Sequence, residues 1–153
     1  MMKLCGWEPS GANVRTAAPR LMLAVVDTNH LSALERDAHL PLRFEERRHA
    51  AGYEVFTTII TVQEITKGWL ALLNRKTAPS QLVLHYQRFQ RSYEALRDWD
   101  ILPFDQEAVA KMAALSPHRL RTGTMDLKIA AICLAHDADF QDIPGLRVEN
   151  WLD

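Results

Sequence analysis

Apolar and polar positions along this chain change period several times, and each change marks an element. Leu23-Ala24-Val25-Val26 is a short unbroken apolar run, the pattern of a strand buried on both faces. It stops at Asp27, after which Leu31, Leu34 and Ala38 recur at helical spacing as far as Pro41. Phe44 to Ala51 reads as a second helix closed by Gly52, a residue suited to the left-handed position after a helix. Tyr53 to Ile60 is β-branched and aromatic, hence a second strand. Ile65, Trp69, Leu72 and Leu73 then return to helical spacing. Pro79-Ser80 opens a longer helix striped by Leu82, Tyr86, Phe89, Tyr93 and Leu96, a packing face. Asp100 to Phe104 is a third short strand, and Asp105 caps a helix carrying Ala108, Val109, Met112 and Leu115. Met125 to Ala135 is apolar almost all round and should be buried. Strands alternating with helices predict a three-layer α/β fold on a short, mostly parallel sheet.

Residues 1–21 do not share this order. They have no period, carry Gly, Pro and Ser breakers, and lack the apolar run of a secretory signal. The expectation is a disordered or mis-started extension before Met22, with one domain over residues 22–153. No stretch is apolar enough to span a membrane. Two distant cysteines and six scattered histidines outline neither a disulfide framework nor a zinc site, and a reducing cytoplasm is the default. A net charge of −1 excludes bulk attraction to nucleic acid, so any such contact must be local. Arg88, Arg91 and Arg97 read first as a solvated helix face.

Three acids fall where strands give way to helices. Each has an ordinary structural reading. Asp27 suits the N-cap of the helix it precedes. Glu64, three residues after Thr61, completes a capping box. Asp126 complements the positive end of a helix dipole. In a parallel α/β sheet, however, strand carboxyl ends and helix amino ends share one edge, where ligands bind. Asp27, Glu64 and Asp126 would converge there. Adjacent carboxylates raise one another's pKa, and a hard divalent cation relieves this. Arg119, Arg121 and Lys128 are candidate phosphate contacts.

Val-Val-Asp27-Thr-Asn-His-Leu-Ser, Thr-Val-Gln-Glu64-Ile-Thr-Lys-Gly-Trp-Leu, Gly-Thr-Met-Asp126-Leu-Lys-Ile-Ala-Ala and Ile-Pro-Gly-Leu-Arg-Val-Glu-Asn-Trp-Leu, in that order, resemble PIN-domain ribonucleases. More narrowly, they resemble VapC toxins of type II toxin–antitoxin systems over residues 22–153. The resemblance implies a Mg²⁺- or Mn²⁺-dependent endoribonuclease that cleaves RNA, forms a homodimer and is neutralised by a cognate antitoxin. It makes Asp27 and Asp126 metal ligands, and Glu64 a ligand or water-orienting acid.

The chain departs from that family in one place. The family strand that follows the Asp126 helix and supplies a fourth acid is missing before Asp139-Phe140. Asp139 would then fall at the wrong edge. Leu146 to Glu149 is expected to slide into the vacant slot beside the first strand, offering Glu149 or Asp153 as a substitute acid. A catalytically impaired PIN fold that only binds antitoxin or RNA is the alternative. A phosphohydrolase with Asp27 as nucleophile, as in haloacid-dehalogenase-like folds, ranks lower because Asn29 stands where a second Asp is needed.

Overall fold

The computed structural model describes residues 2–4, 22–76, 78–115, 123–136 and 147–149. The strands are β1 (Met2–Leu4), β2 (Met22–Val25), β3 (Tyr53–Thr58), β4 (Ile101–Leu102) and β5 (Arg147–Glu149). The helices are α1 (Thr28–Arg36), α2 (Leu40–Ala51), α3 (Ile59–Leu73), α4 (Pro79–Leu96), α5 (Gln106–Leu115) and α6 (Thr124–His136). One sheet runs in the order β4-β3-β2-β1-β5. β2, β3 and β4 are parallel, while β1 is antiparallel to both of its neighbours. β5 therefore points the same way as β2.

Alternation along β2 assigns the layers. Ala24 and Val26 face one side, packed with Leu31 of α1, Phe44 of α2, Ile65 of α3 and Leu96 of α4. Val25 faces the other, against Ala108 of α5 and Ile129, Ile132 and Cys133 of α6. This is the expected three-layer α/β arrangement, and α6 is the buried helix its composition predicts. His136, the last residue of α6, meets the start of α5: its Nε2 lies 3.2 Å from the Pro103 carbonyl and 3.5 Å from Asp105 Oδ2.

Four expectations need correction. Residues 1–21 were placed outside the fold, yet Met2–Leu4 forms a strand of the sheet, with Lys3 opposite Val25 and Leu4 opposite Ala24. The last strand was expected beside the first apolar strand. It keeps the expected direction, but β1 occupies that position and β5 pairs outside it, Met2 opposite Glu149 and Leu4 opposite Arg147. Pairing with both neighbours satisfies backbone groups that the edge of β2 would otherwise leave open. Third, β3 ends at Thr58, and Ile59 and Ile60 already belong to α3. Fourth, the packed side of α4 is Leu82, His85, Phe89, Ser92 and Leu96, which leaves Tyr86 and Tyr93 more than half exposed. Ser92 is admitted to that face because its hydroxyl donates to Glu35 Oε1 at 2.9 Å. Asp139 and Asp153 lie outside the described residues.

Among the described residues, no helix is long and apolar enough to cross a membrane.

Candidate active site

The site starts from the way β2 ends. Asp27 leaves the strand in an extended conformation and caps α1, its Oδ1 accepting the His30 backbone N–H at 3.0 Å. The ordinary capping role is therefore real. It also fixes the carboxylate at the carboxyl edge of the sheet. The same Oδ1 lies 3.0 Å from Nδ1 of His30, a residue wholly buried one turn along α1. Burial alone would raise the Asp27 pKa, but hydrogen bonds to the carboxylate, foremost the one from the His30 side chain, together with a nearby positive charge outweigh it, and the group is lowered to about 2. With Asp27 ionised, the imidazole must carry its proton on Nδ1 in order to donate.

Glu64 reaches the same edge by a different route. The N-cap of α3 is Thr58, whose Oγ1 accepts from the Thr61 N–H at 3.2 Å and lies 3.1 Å from the Thr61 hydroxyl. The helix thus begins three residues before the expected cap, and the Thr61–Glu64 capping box does not form. Glu64 lies in the second turn instead, where the Thr28 hydroxyl donates to its Oε2 at 2.6 Å. Because Thr28 follows Asp27 directly, this bond ties the two acids' elements together across the β2–β3 edge.

Asp126 occupies the first turn of α6 with an exposed side chain. It stands one turn before Ile129, which packs with Val25 and Ile60 in the second core cluster. At about 1.5 Å per residue, it lies roughly 15 Å along the helix from His136. Among the described residues, no group of three or more His, Cys, Asp or Glu side chains forms a ready metal-holding cluster. Thr28 links the elements that carry Asp27 and Glu64, and Asp126 is carried by the first turn of α6. Glu149 ends β5.

The donor chemistry fits a hard cation. Asp27 is held ionised, and Glu64 and Thr28 add only oxygen. Mg²⁺ is commonly held by one or two carboxylates, keeping waters and substrate phosphates for its remaining positions. Asp27 and Glu64 are of the donor type such a site calls for.

Two residues of this site were not singled out in the sequence. Thr28 adjoins Asp27, and a hydroxyl at a strand–helix junction was the available signal. His30 stands three positions beyond Asp27, the spacing that returns a side chain to the same face of a helix. It was counted only among the scattered histidines.

The family comparison agrees with this α/β fold and its acid-bearing sheet edge. The PIN domain model matches residues 24–140, and the chain belongs to the PIN-domain family. PIN domains are generally nucleases and typically use divalent metals, which gives this chain a nuclease-type function. Comparison with curated proteins yields no match.

Proposed function

We propose that the protein is a VapC-like endoribonuclease toxin, dependent on Mg²⁺ or Mn²⁺, which hydrolyses RNA phosphodiester bonds in the cytoplasm. Its cognate antitoxin would neutralise it, and it would act as a homodimer. The observation carrying this reading is the ionised Asp27 coupled to Glu64 through Thr28 at the carboxyl edge of the sheet. The four ordered sequence motifs support the narrower toxin assignment.

In this reading Asp27 and Glu64 hold the cation with their carboxylates, and Asp126 joins them from α6 as a further ligand. The bound cation supplies charge neutralisation at the scissile phosphate and activation of water. His30 holds the Asp27 carboxylate in one orientation by donating from Nδ1. Thr28 does the same for Glu64. Each residue so restrained needs less rearrangement when substrate arrives.

The test is cleavage of a mixed single-stranded RNA by wild type, Asp27→Asn and Asp126→Asn, in Mg²⁺, in Mn²⁺ and in EDTA. Metal-dependent cutting lost in both variants is the expected result. Metal-independent cutting, or cutting retained by Asp27→Asn, overturns the reading. RNA binding without cleavage by wild type would assign the chain to the impaired PIN folds. Growth arrest on induced expression, relieved by the product of an adjacent small gene, tests the toxin assignment.

A further inference from the structure

A cavity of about 920 Å³ lies between α1, α3 and α4, and Thr28 and Glu64 are among the residues that line it. Its apolar lining comes from Ile65, Trp69 and Leu72 of α3 and Ala95 of α4. Three arginines, Arg36, Arg88 and Arg91, also line it. Arg36 Nε donates to the Ser32 carbonyl at 2.7 Å, which steadies that side chain at the end of α1. Among the described residues, neither Arg88 nor Arg91 is engaged in an ion pair. The two stand three positions apart on α4, hence side by side on one face of that helix. The cavity also contains Glu35, but Ser92 already donates to that carboxylate. Sequence pattern had made Arg88 and Arg91 a solvated face. Both are exposed, as that reading expects, and both line the same cavity as Glu64.

Gly68 is a second, independent observation. It lies in the interior of α3, one turn beyond Glu64, and lines this cavity. A Cβ built there meets no atom within 4 Å, so packing within the protein does not call for a glycine. Glycine inside a helix nevertheless costs helix stability relative to alanine. The open space over Gly68 leaves room for a strand from outside the chain to come close to the α3 backbone.

We infer that this cavity seats the single-stranded RNA flanking the scissile phosphate, with Arg88 and Arg91 on its phosphates and Gly68 at the closest approach of the strand. The inference rests on the nuclease reading above. Cationic and apolar side chains in one cavity are what single-stranded nucleic acid requires, since cations follow the backbone while apolar and aromatic groups receive base faces. A wholly apolar groove would suit a peptide helix better, and a flat basic surface would suit a duplex.

The experiment is fluorescence anisotropy with a fluorescein-labelled, mixed-sequence 12-nucleotide RNA in EDTA, across a series of salt concentrations. Binding is thereby separated from cleavage. Arg88→Gln/Arg91→Gln is expected to weaken binding about tenfold or more and to reduce the slope of log affinity on log salt by about 1.4, roughly 0.7 for each lost phosphate contact. Gly68→Ala should raise the Tm, whereas Gly68→Leu should stay folded and lose RNA affinity. In Mg²⁺, the double arginine variant should raise KM with little change in kcat. Unchanged affinity and salt slope in that variant overturn the proposal and leave the cavity to a protein ligand. Metal-dependent cleavage persisting with unaltered KM would sink this inference alone, with the nuclease reading intact. A wild type that binds no RNA in EDTA also overturns it.

Discussion

The hydroxyl of Thr28 donates a 2.6 Å hydrogen bond to Oε2 of Glu64, thirty-six positions further along the chain. One end of that bond adjoins the Asp27 cap and the other stands in the second turn of α3. Two acids from separate βα units thereby share one edge. Thr28→Val keeps the side chain's shape and removes the donor. A lost hydrogen bond to a charged group of this kind costs about 1–2 kcal/mol. Denaturant unfolding should show that loss in Thr28→Val and little change in Thr28→Ser, and calorimetry should show weaker Mg²⁺ binding only in the valine variant.

Asp27 sets an acid limit on stability. Its folded pKa of about 2 lies below the ordinary value of 3.8. The folded state therefore favours the ionised form, and the associated stability is complete above about pH 4. It is lost as pH falls from about 4 toward 2. His30→Leu removes the side-chain donor while keeping Asp27 half-buried, so the Asp27 pKa should rise and the acid limb move to higher pH. Urea midpoints measured between pH 2 and pH 6 on both proteins check this. Superimposable curves would remove His30 from the account.

Gly52 follows α2 with φ of 68°, in the left-handed region, and its N–H reaches back to the carbonyls of Arg48 and His49. A Cβ there meets nothing within 4 Å, so the cost of a side chain is conformational alone. Gly52→Ala should destabilise the protein by about 1 kcal/mol, and Gly52→Asn by less, because Asn tolerates that region better. Thermal unfolding of the two variants decides the order.

A chain started at Met22 lacks β1. Both β2 and β5 then lose their antiparallel partner, and the sheet order β4-β3-β2-β1-β5 is cut in two. The shortened protein should be markedly less stable or aggregate, since unpaired strand edges template association. Size-exclusion profiles and Tm of residues 1–153 beside 22–153 provide the comparison. Equal Tm values would mean that β1 contributes nothing measurable.

Local chemistry was legible in the sequence, and long-range pairing was not. The unbroken run ending at Asp27, the terminal Gly52 and the uniformly apolar α6 are short-range patterns, and each appears as read. Glu64 stands in the second turn of α3 and not in the capping box that its Thr-x-x-Glu context suggests. Ile59 and Ile60 suit a strand as well as a helix, so the helix start was set three residues late and a capping box was assigned to Thr61. On α4 a count of apolar residues chose Tyr86 and Tyr93 over His85 and Ser92. Burial of Ser92 depends on Glu35, a partner that periodicity cannot reveal. The strand at Met2–Leu4 is three residues long and has no period, and its place in the sheet is set wholly by residues far along the chain.

That last pairing governs the order of events during synthesis. Met2 lies opposite Glu149, so β1 acquires its second neighbour only after residue 149 has left the ribosome. Until then β1 can form a ribbon with β2, while its outer edge stays open and able to pair with other chains. Contacts so distant in sequence close slowly, because the loop entropy is spent before the pairing returns anything. A protein built this way completes its sheet only after residue 149 has been made.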